Sequence, residues 1–146
     1  MSSPTQNTIT GQQLAEQRSA AYNSGDTASF TAFYAEDAVL SAPTLSQPLS
    51  GREAIHLYES SIRNAMPDAS VELINLVVEG KTLAHEFIFR ATHTGALVKP
   101  EFTLPATGNS IELPMAIFVQ LDDEGRVTQE RRYLDGGTLL RLLGAP

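Results

Sequence analysis

The sequence predicts one α+β domain, with N-terminal helices packed on one face of a meandering antiparallel sheet. Apolar residues recur at helical spacing up to Met66, and at strand spacing, broken by Gly- and Pro-rich turns, after it. Runs of helices followed by runs of strands are the α+β pattern. At 146 residues the chain has room for one core and no linker that would separate two. Residues 1–9 read as a flexible N-terminus and 10–146 as the domain.

Thr10-Gly11-Gln12-Gln13 has the form of a capping box, and the helix it opens carries Leu14, Arg18, Ala21 and Tyr22 on one face before Asn23-Ser24-Gly25 stops it. Asp26 is an N-cap for a short second helix, with Phe30, Phe33 and Tyr34 at i, i+3 and i+4. A short strand is expected over Ala38–Ala42, and a loop over Pro43–Pro48. From Gly51 a third helix presents Ile55, Tyr58, Ile62 and Met66, ended by Pro67. Strands then read as Val71–Val78 and Thr82–Thr94 around the turn Glu79-Gly80-Lys81. Ser110–Leu121 and Val127–Leu134 follow, joined by Asp122-Asp123-Glu124-Gly125. A helix over Thr138–Leu143 closes the chain, and Asp135 is its expected cap.

Seventeen acidic residues against ten basic ones give a net charge of −7, so the overall field repels phosphate backbones and nucleic acid is not an expected partner. No cysteine is present, which excludes thiol nucleophiles and thiolate metal sites. Three scattered histidines form no HxH or HExxH spacing, and there is no GxSxG or Gly-rich phosphate loop. Met1–Thr10 lacks the basic and apolar regions of a secretory signal, and no apolar run reaches the ~20 residues of a bilayer span. The expectation is a cytoplasmic protein without membrane contact.

Four stretches resemble the SnoaL-like polyketide cyclases of the nuclear transport factor 2-like superfamily: Tyr22-Asn23-Ser24-Gly25-Asp26, Phe33-Tyr34-Ala35-Glu36-Asp37-Ala38, Thr92-His93-Thr94-Gly95, and Tyr133-Leu134-Asp135 with Leu139-Leu140-Arg141-Leu142-Leu143-Gly144. The resemblance implies a cone-shaped α+β barrel, a mostly apolar pocket, a homodimer, and acid–base chemistry with no metal or organic cofactor. It also implies catalytic positions that this chain does not fill in the usual way. The steroid isomerase base falls on Ala42, and its oxyanion donors fall near Arg18 and Ala116. The cyclases' acid/base aspartate falls on Arg132, and their partner histidine on Ile117. A guanidinium cannot serve as a base.

Alternation along strands sorts the expected lining. With Arg132 facing the pocket, Glu130 and Leu134 share its face. The same superposition turns Ala116, Pro114, Phe118 and Gln120 inward on the neighbouring strand, and His85, Phe87, Phe89 and Ala91 on the next. Tyr58 lies on the helix face that closes the cone. An apolar lining with a few polar groups is what small-molecule sites present. The catalytic candidates are His85 as acid/base, Arg132 as anion stabiliser and Glu130 as the group that orients one of them. Tyr58, Phe87, Phe89, Ala116, Phe118, Gln120 and Leu134 are the candidate substrate contacts. Plainer readings compete: a Glu130–Arg132 salt bridge beside the pocket, and a hydrogen-bonded core histidine. His56 and His93 are weaker candidates, at a helix edge and a strand end.

Taken together, the sequence points to a cofactor-independent cyclase or isomerase acting on an apolar polyketide- or terpenoid-like molecule. Two alternatives are a noncatalytic small-ligand-binding protein of the same fold and a dimeric interaction module.

Overall fold

The computed structural model describes residues 10–144, so the N-terminal segment 1–9 lies outside the described residues. Helix α1 (Gly11–Asn23) opens on the expected capping box: Thr10 Oγ1 accepts from Gln13 N at 3.0 Å, and Gln13 Oε1 accepts from Thr10 N at 2.8 Å. Asp26 caps α2 (Thr27–Thr31), accepting from Ala28 N and Ser29 N. This helix is shorter than the i, i+3, i+4 pattern suggested. Phe33 lies beyond it, and Tyr34 opens strand β1 (Tyr34–Ser41), because a fully buried aromatic fits the sheet as well as a helix face.

A two-residue strand, β2 (Leu49–Ser50), pairs back on β1. Helix α3 (Arg52–Ala65) follows Gly51, whose φ of +98° favours glycine. Strands β3 (Ser70–Glu79), β4 (Thr82–Thr92), β7 (Ser110–Leu121) and β8 (Val127–Tyr133) make the antiparallel meander. Between β4 and β7 lies a small separate hairpin, β5 (Leu97–Val98) with β6 (Thr103–Leu104), in what read as loop. Helix α4 (Gly136–Leu142) starts two residues earlier than expected and is capped by Asp135, as foreseen.

The main sheet runs β2-β1-β8-β7-β4-β3, and β1 lies parallel to β8. Two apolar clusters occupy its concave side. One is built around Tyr34, Leu40, Ile55, Leu83 and Val127, the other around Ala65, Met66, Leu113 and Leu143; Tyr22, Val71 and Met115 touch both. Polar ties fix the helices to the sheet edge. Asn23 exchanges two hydrogen bonds with the backbone of Val71, and Arg63 donates to the carbonyls of Tyr22, Pro67 and Ala69.

The chain after β4 crosses the end of α3 so closely that only glycine fits. Gly95 N donates to Ala65 O at 2.9 Å, and a Cβ on Gly95 would stand 2.3 Å from Asn64 O. The obstacle is backbone, so it cannot swing aside. Gly95→Ala is expected to cost about 1–3 kcal/mol of stability, the usual range for overpacking. Urea titration by circular dichroism checks this through a lower midpoint at unchanged slope.

Candidate active site

Register decides which side chains meet on the concave face, because directly opposed residues of an antiparallel pair point the same way. His85 is opposite Ile117, Phe87 opposite Met115 and Phe89 opposite Leu113; in turn Ile117 is opposite Arg132 and Val119 opposite Glu130. All of these but Val119, with Arg18, Ser19 and Tyr22 of α1, Tyr58, Glu59 and Ile62 of α3, and Leu134 and Leu139, line a cavity of ≈ 110 Å³. On the scale where an engineered cavity of about 150 Å³ takes up benzene, this holds about one ring.

His85, Phe87, Phe89, Glu130, Arg132 and Leu134 therefore line the cavity as strand parity put them, and Tyr58 lines it from the face of α3. The parity assigned to β7 is wrong by one. Pro114, Ala116, Phe118 and Gln120 point to the outer face, and Leu113, Met115 and Ile117 line the cavity in their place. The alternation itself carried the signal: Ile111, Leu113, Met115, Ile117 and Val119 are all apolar, while Glu112 and Gln120 sit on the other face. Placing Ala116 by family superposition overrode it. Ala91 faces inward too, but packs in the second apolar cluster.

One side of the cavity is a buried ionic network. Glu130, 1% exposed, accepts on Oε1 from Arg18 Nη2 at 2.7 Å and from the Tyr34 hydroxyl at 2.6 Å, and on Oε2 from Arg132 Nε at 2.6 Å. Arg132 reaches on through Nη2 to Glu59 Oε2 at 2.5 Å. The guanidinium of Arg18 also lies 5.3 Å from the ring centres of both Phe30 and Tyr34. Two cations and two carboxylates balance. Burial alone would raise the Glu130 pKa, but Arg132 and Arg18 outweigh it and hold the carboxyl down at about 2. Burial, with Glu130 close by, pushes the Tyr34 hydroxyl far above its ordinary range, so it stays a donor. Glu130 is thus a permanent anion, unable to trade protons near neutrality.

The sheet wall supplies a group that can. His85 is 2% exposed and stacks on Phe87 with ring centres 5.3 Å apart. Its Nδ1 lies 3.1 Å from Ile117 O, and a carbonyl only accepts, so Nδ1 carries the proton. Burial pulls the His85 pKa below the usual 6.5, leaving a neutral ring. Its Nε2 is then a bare lone pair without a hydrogen-bond partner; Arg18 Nε and Ser19 Oγ, on residues that also line the cavity, are likewise unpartnered.

The weaker histidines stand apart. His56 contacts Thr31 Oγ1 at 3.0 Å, and His93, fully buried, contacts Thr107 Oγ1 at 3.0 Å. Sequence reasoning placed Arg18 on the buried helix face without giving it a role, and passed over Glu59 and Tyr34. Among the described residues no group of three His, Asp or Glu side chains is arranged to hold a metal, and no helix is long and apolar enough to cross a membrane.

The network sets an acid sensitivity. The folded pKa of Glu130 is depressed, so its contribution is complete above the unfolded value of 4.5 and fades as pH falls toward 2. By that difference it is worth about 3 kcal/mol. Glu130→Gln leaves two buried arginines facing one carboxylate, and is expected to cost about 3–5 kcal/mol at pH 7. Urea unfolding at pH 7 and pH 3 measures both: the wild type loses stability on acidification, and the variant loses less.

The SnoaL-like polyketide cyclase model matches residues 12–143. Among solved structures, TsrD from Streptomyces laurentii is similar at 26% identity and a TM-score of 0.76, over 92% of this chain and 95% of that one. IdmH from Streptomyces antibioticus, a candidate polyketide cyclase, is 24% identical with a TM-score of 0.72, over 92% and 98%. A protein of ketosteroid isomerase-like fold from Catenulispora acidiphila, in complex with trimethylamine, is 17% identical with a TM-score of 0.75, over 94% and 96%. None of the curated proteins matches the chain. With the family model spanning residues 12–143 of the 146, the chain belongs to the SnoaL-like polyketide cyclase family.

Proposed function

We propose that the protein is a cofactor-independent acid–base enzyme, a cyclase or isomerase for an apolar polyketide- or terpenoid-like ketone. The observation that carries this reading is the bare Nε2 of neutral His85, on a residue that lines the cavity together with Arg18, whose Nε–H is also unpartnered. His85 Nε2 takes a proton from the carbon next to the substrate carbonyl. The C–H electron pair becomes a C=C bond, and the carbonyl pair moves to oxygen as an enolate. That oxygen is stabilised by Arg18 Nε–H, in a guanidinium that Glu130 holds in place. In an isomerisation the imidazolium returns its proton to another carbon. In a cyclisation the enolate carbon attacks a second carbonyl of the same molecule, and the proton goes to the new alkoxide. A noncatalytic binder is favoured instead by the saturation of Glu130, which leaves no strand carboxylate free to act.

Proton exchange separates the two. Incubated in D2O with cyclohexanone, a single ring on the scale of the cavity, the native protein is expected to speed loss of the α-proton NMR signals over buffer. His85→Ala is expected to lower that rate by about 10²–10⁴-fold, the usual worth of a general base. The rate should fall only below pH 6.5, since a base with a lowered pKa keeps its lone pair down to that pH. Binding of cyclohexanone without exchange would establish the binder instead.

The homodimer implied by the family resemblance belongs to the same reading. Its occupant would be a second copy of this chain on the outer sheet face, where Val77, Phe118 and Tyr133 are exposed and Phe118 meets Tyr133 edge to face at 6.1 Å. Light scattering at micromolar concentration is expected to give twice the chain mass, and Phe118→Asp to shift it toward the monomer. A monomer mass for the native protein would contradict the dimer.

A further inference from the structure

The two carboxylates in the cavity wall are not equivalent. Glu130 has both oxygens occupied, by three donors. Glu59, 3% exposed, is held through one oxygen alone, Oε2, by Arg132 Nη2. Its Oε1 has no hydrogen-bond partner among the described residues, although the residue lines the cavity. Unlike His85 Nε2 and Arg18 Nε, Glu59 Oε1 is not among the fully buried side-chain atoms that lack a partner, so accessible space reaches it. It is also an acceptor that any donor entering the cavity would satisfy.

Its position relative to the chemistry is defined by the network. Arg18, beside His85's part of the cavity, is one end of a chain of ion pairs that runs through Glu130 and Arg132 to Glu59 at the other. The carbonyl-activating end and the free carboxylate oxygen are therefore separated by two intervening side chains. The groups on offer differ as well: a donor at Arg18 Nε, and an acceptor at Glu59 Oε1.

We propose that Glu59 is a specificity-determining residue that selects a substrate bearing a hydroxyl group remote from the reacting carbonyl, the hydroxyl donating to Glu59 Oε1. The site assignment rests on the acid–base reading of the cavity; the hydroxyl preference itself is a binding property and can be measured apart from turnover. The substrate class is thereby narrowed from an apolar ketone to a hydroxylated one. An ether at the same place has no hydrogen to give and leaves the carboxylate unsatisfied, so it should be rejected. A site built around a buried polar group discriminates in this way more sharply than an apolar wall does.

The probes are cyclohexanone, 4-hydroxycyclohexanone and 4-methoxycyclohexanone, single rings on the scale of the cavity, with binding measured by titration calorimetry on the full chain. The hydroxylated ketone is expected to bind at least about tenfold tighter than either of the others, the range of a hydrogen bond to a charged group. Glu59→Gln should keep its oxygen toward Arg132 and turn its amide N–H2 to the cavity. It is expected to cancel the hydroxyl preference and to improve binding of the methoxy compound, a reversal that loss of packing would not produce. Glu59→Asp keeps the carboxylate and should keep the preference, which covers a Glu59→Gln variant that fails to fold. His85→Ala should lose proton exchange and keep the preference, so failure of the catalytic reading and failure of this one are distinguishable. Equal affinities for the three ketones, no binding of any of them, or a preference that survives Glu59→Gln would overturn the proposal.

Discussion

A single buried carboxylate, Glu130, holds the walls of this molecule in register. Its three donors come from α1 through Arg18, from β1 through Tyr34 and from its own strand through Arg132, and Arg132 carries the link on to α3 through Glu59. Any one of these charges buried by itself would cost several kcal/mol. The cost is offset only when all of them are present together, in one arrangement of helices on sheet. The network therefore acts chiefly as a specification: packings that slide α1 or α3 by one turn strand a charge in an apolar interior.

The same constraint divides the cavity. Groups engaged in the network have little left for a ligand, whereas His85 Nε2, Arg18 Nε and Glu59 Oε1 keep free valences in or beside an apolar lining of Phe87, Phe89, Met115 and Ile117. Away from water, each of these interacts more strongly with a ligand than it would at a surface. The ionic half supplies fixed charge that need not reorganise, and the uncharged imidazole supplies the one group whose protonation changes easily. Burial keeps that imidazole neutral, and the Ile117 carbonyl fixes which nitrogen is bare.

Most of the fold was legible because caps, turns and alternation are local. Thr10, Asp26 and Asp135 cap the helices they were assigned, and the parity of β4 and β8 placed His85, Glu130 and Arg132 on one face. The error on β7 arose where a superposed position, Ala116, was preferred to an unbroken apolar alternation. Arg18 and Glu59 were legible in part, since each falls at helical spacing among apolar neighbours: Arg18 four residues after Leu14, Glu59 four after Ile55. A charge on a helix's apolar face predicts a buried partner. What sequence could not supply was the pairing, because Arg18 and Glu130 are 112 positions apart and Glu59 and Arg132 are 73 apart. Such partners meet only once the sheet has closed over the helices.

Those pairings also alter the meaning of Arg132. Viewed alone, a guanidinium at a position where the family resemblance implies an acid reads as loss of the catalytic group. Viewed with its neighbours, it is required. A carboxylate at position 132 would add a third buried anion to Glu59 and Glu130, with Arg18 as the network's remaining cation, and like charges at such distances cannot all ionise. Arginine at 132 turns that conflict into a balanced set of two cations and two anions. Arg132 therefore belongs with Glu59 on α3 and Arg18 on α1 as one charge-balanced set, in which the carboxylate that keeps an unpartnered oxygen stands on the helix wall of the cavity and not on the strand.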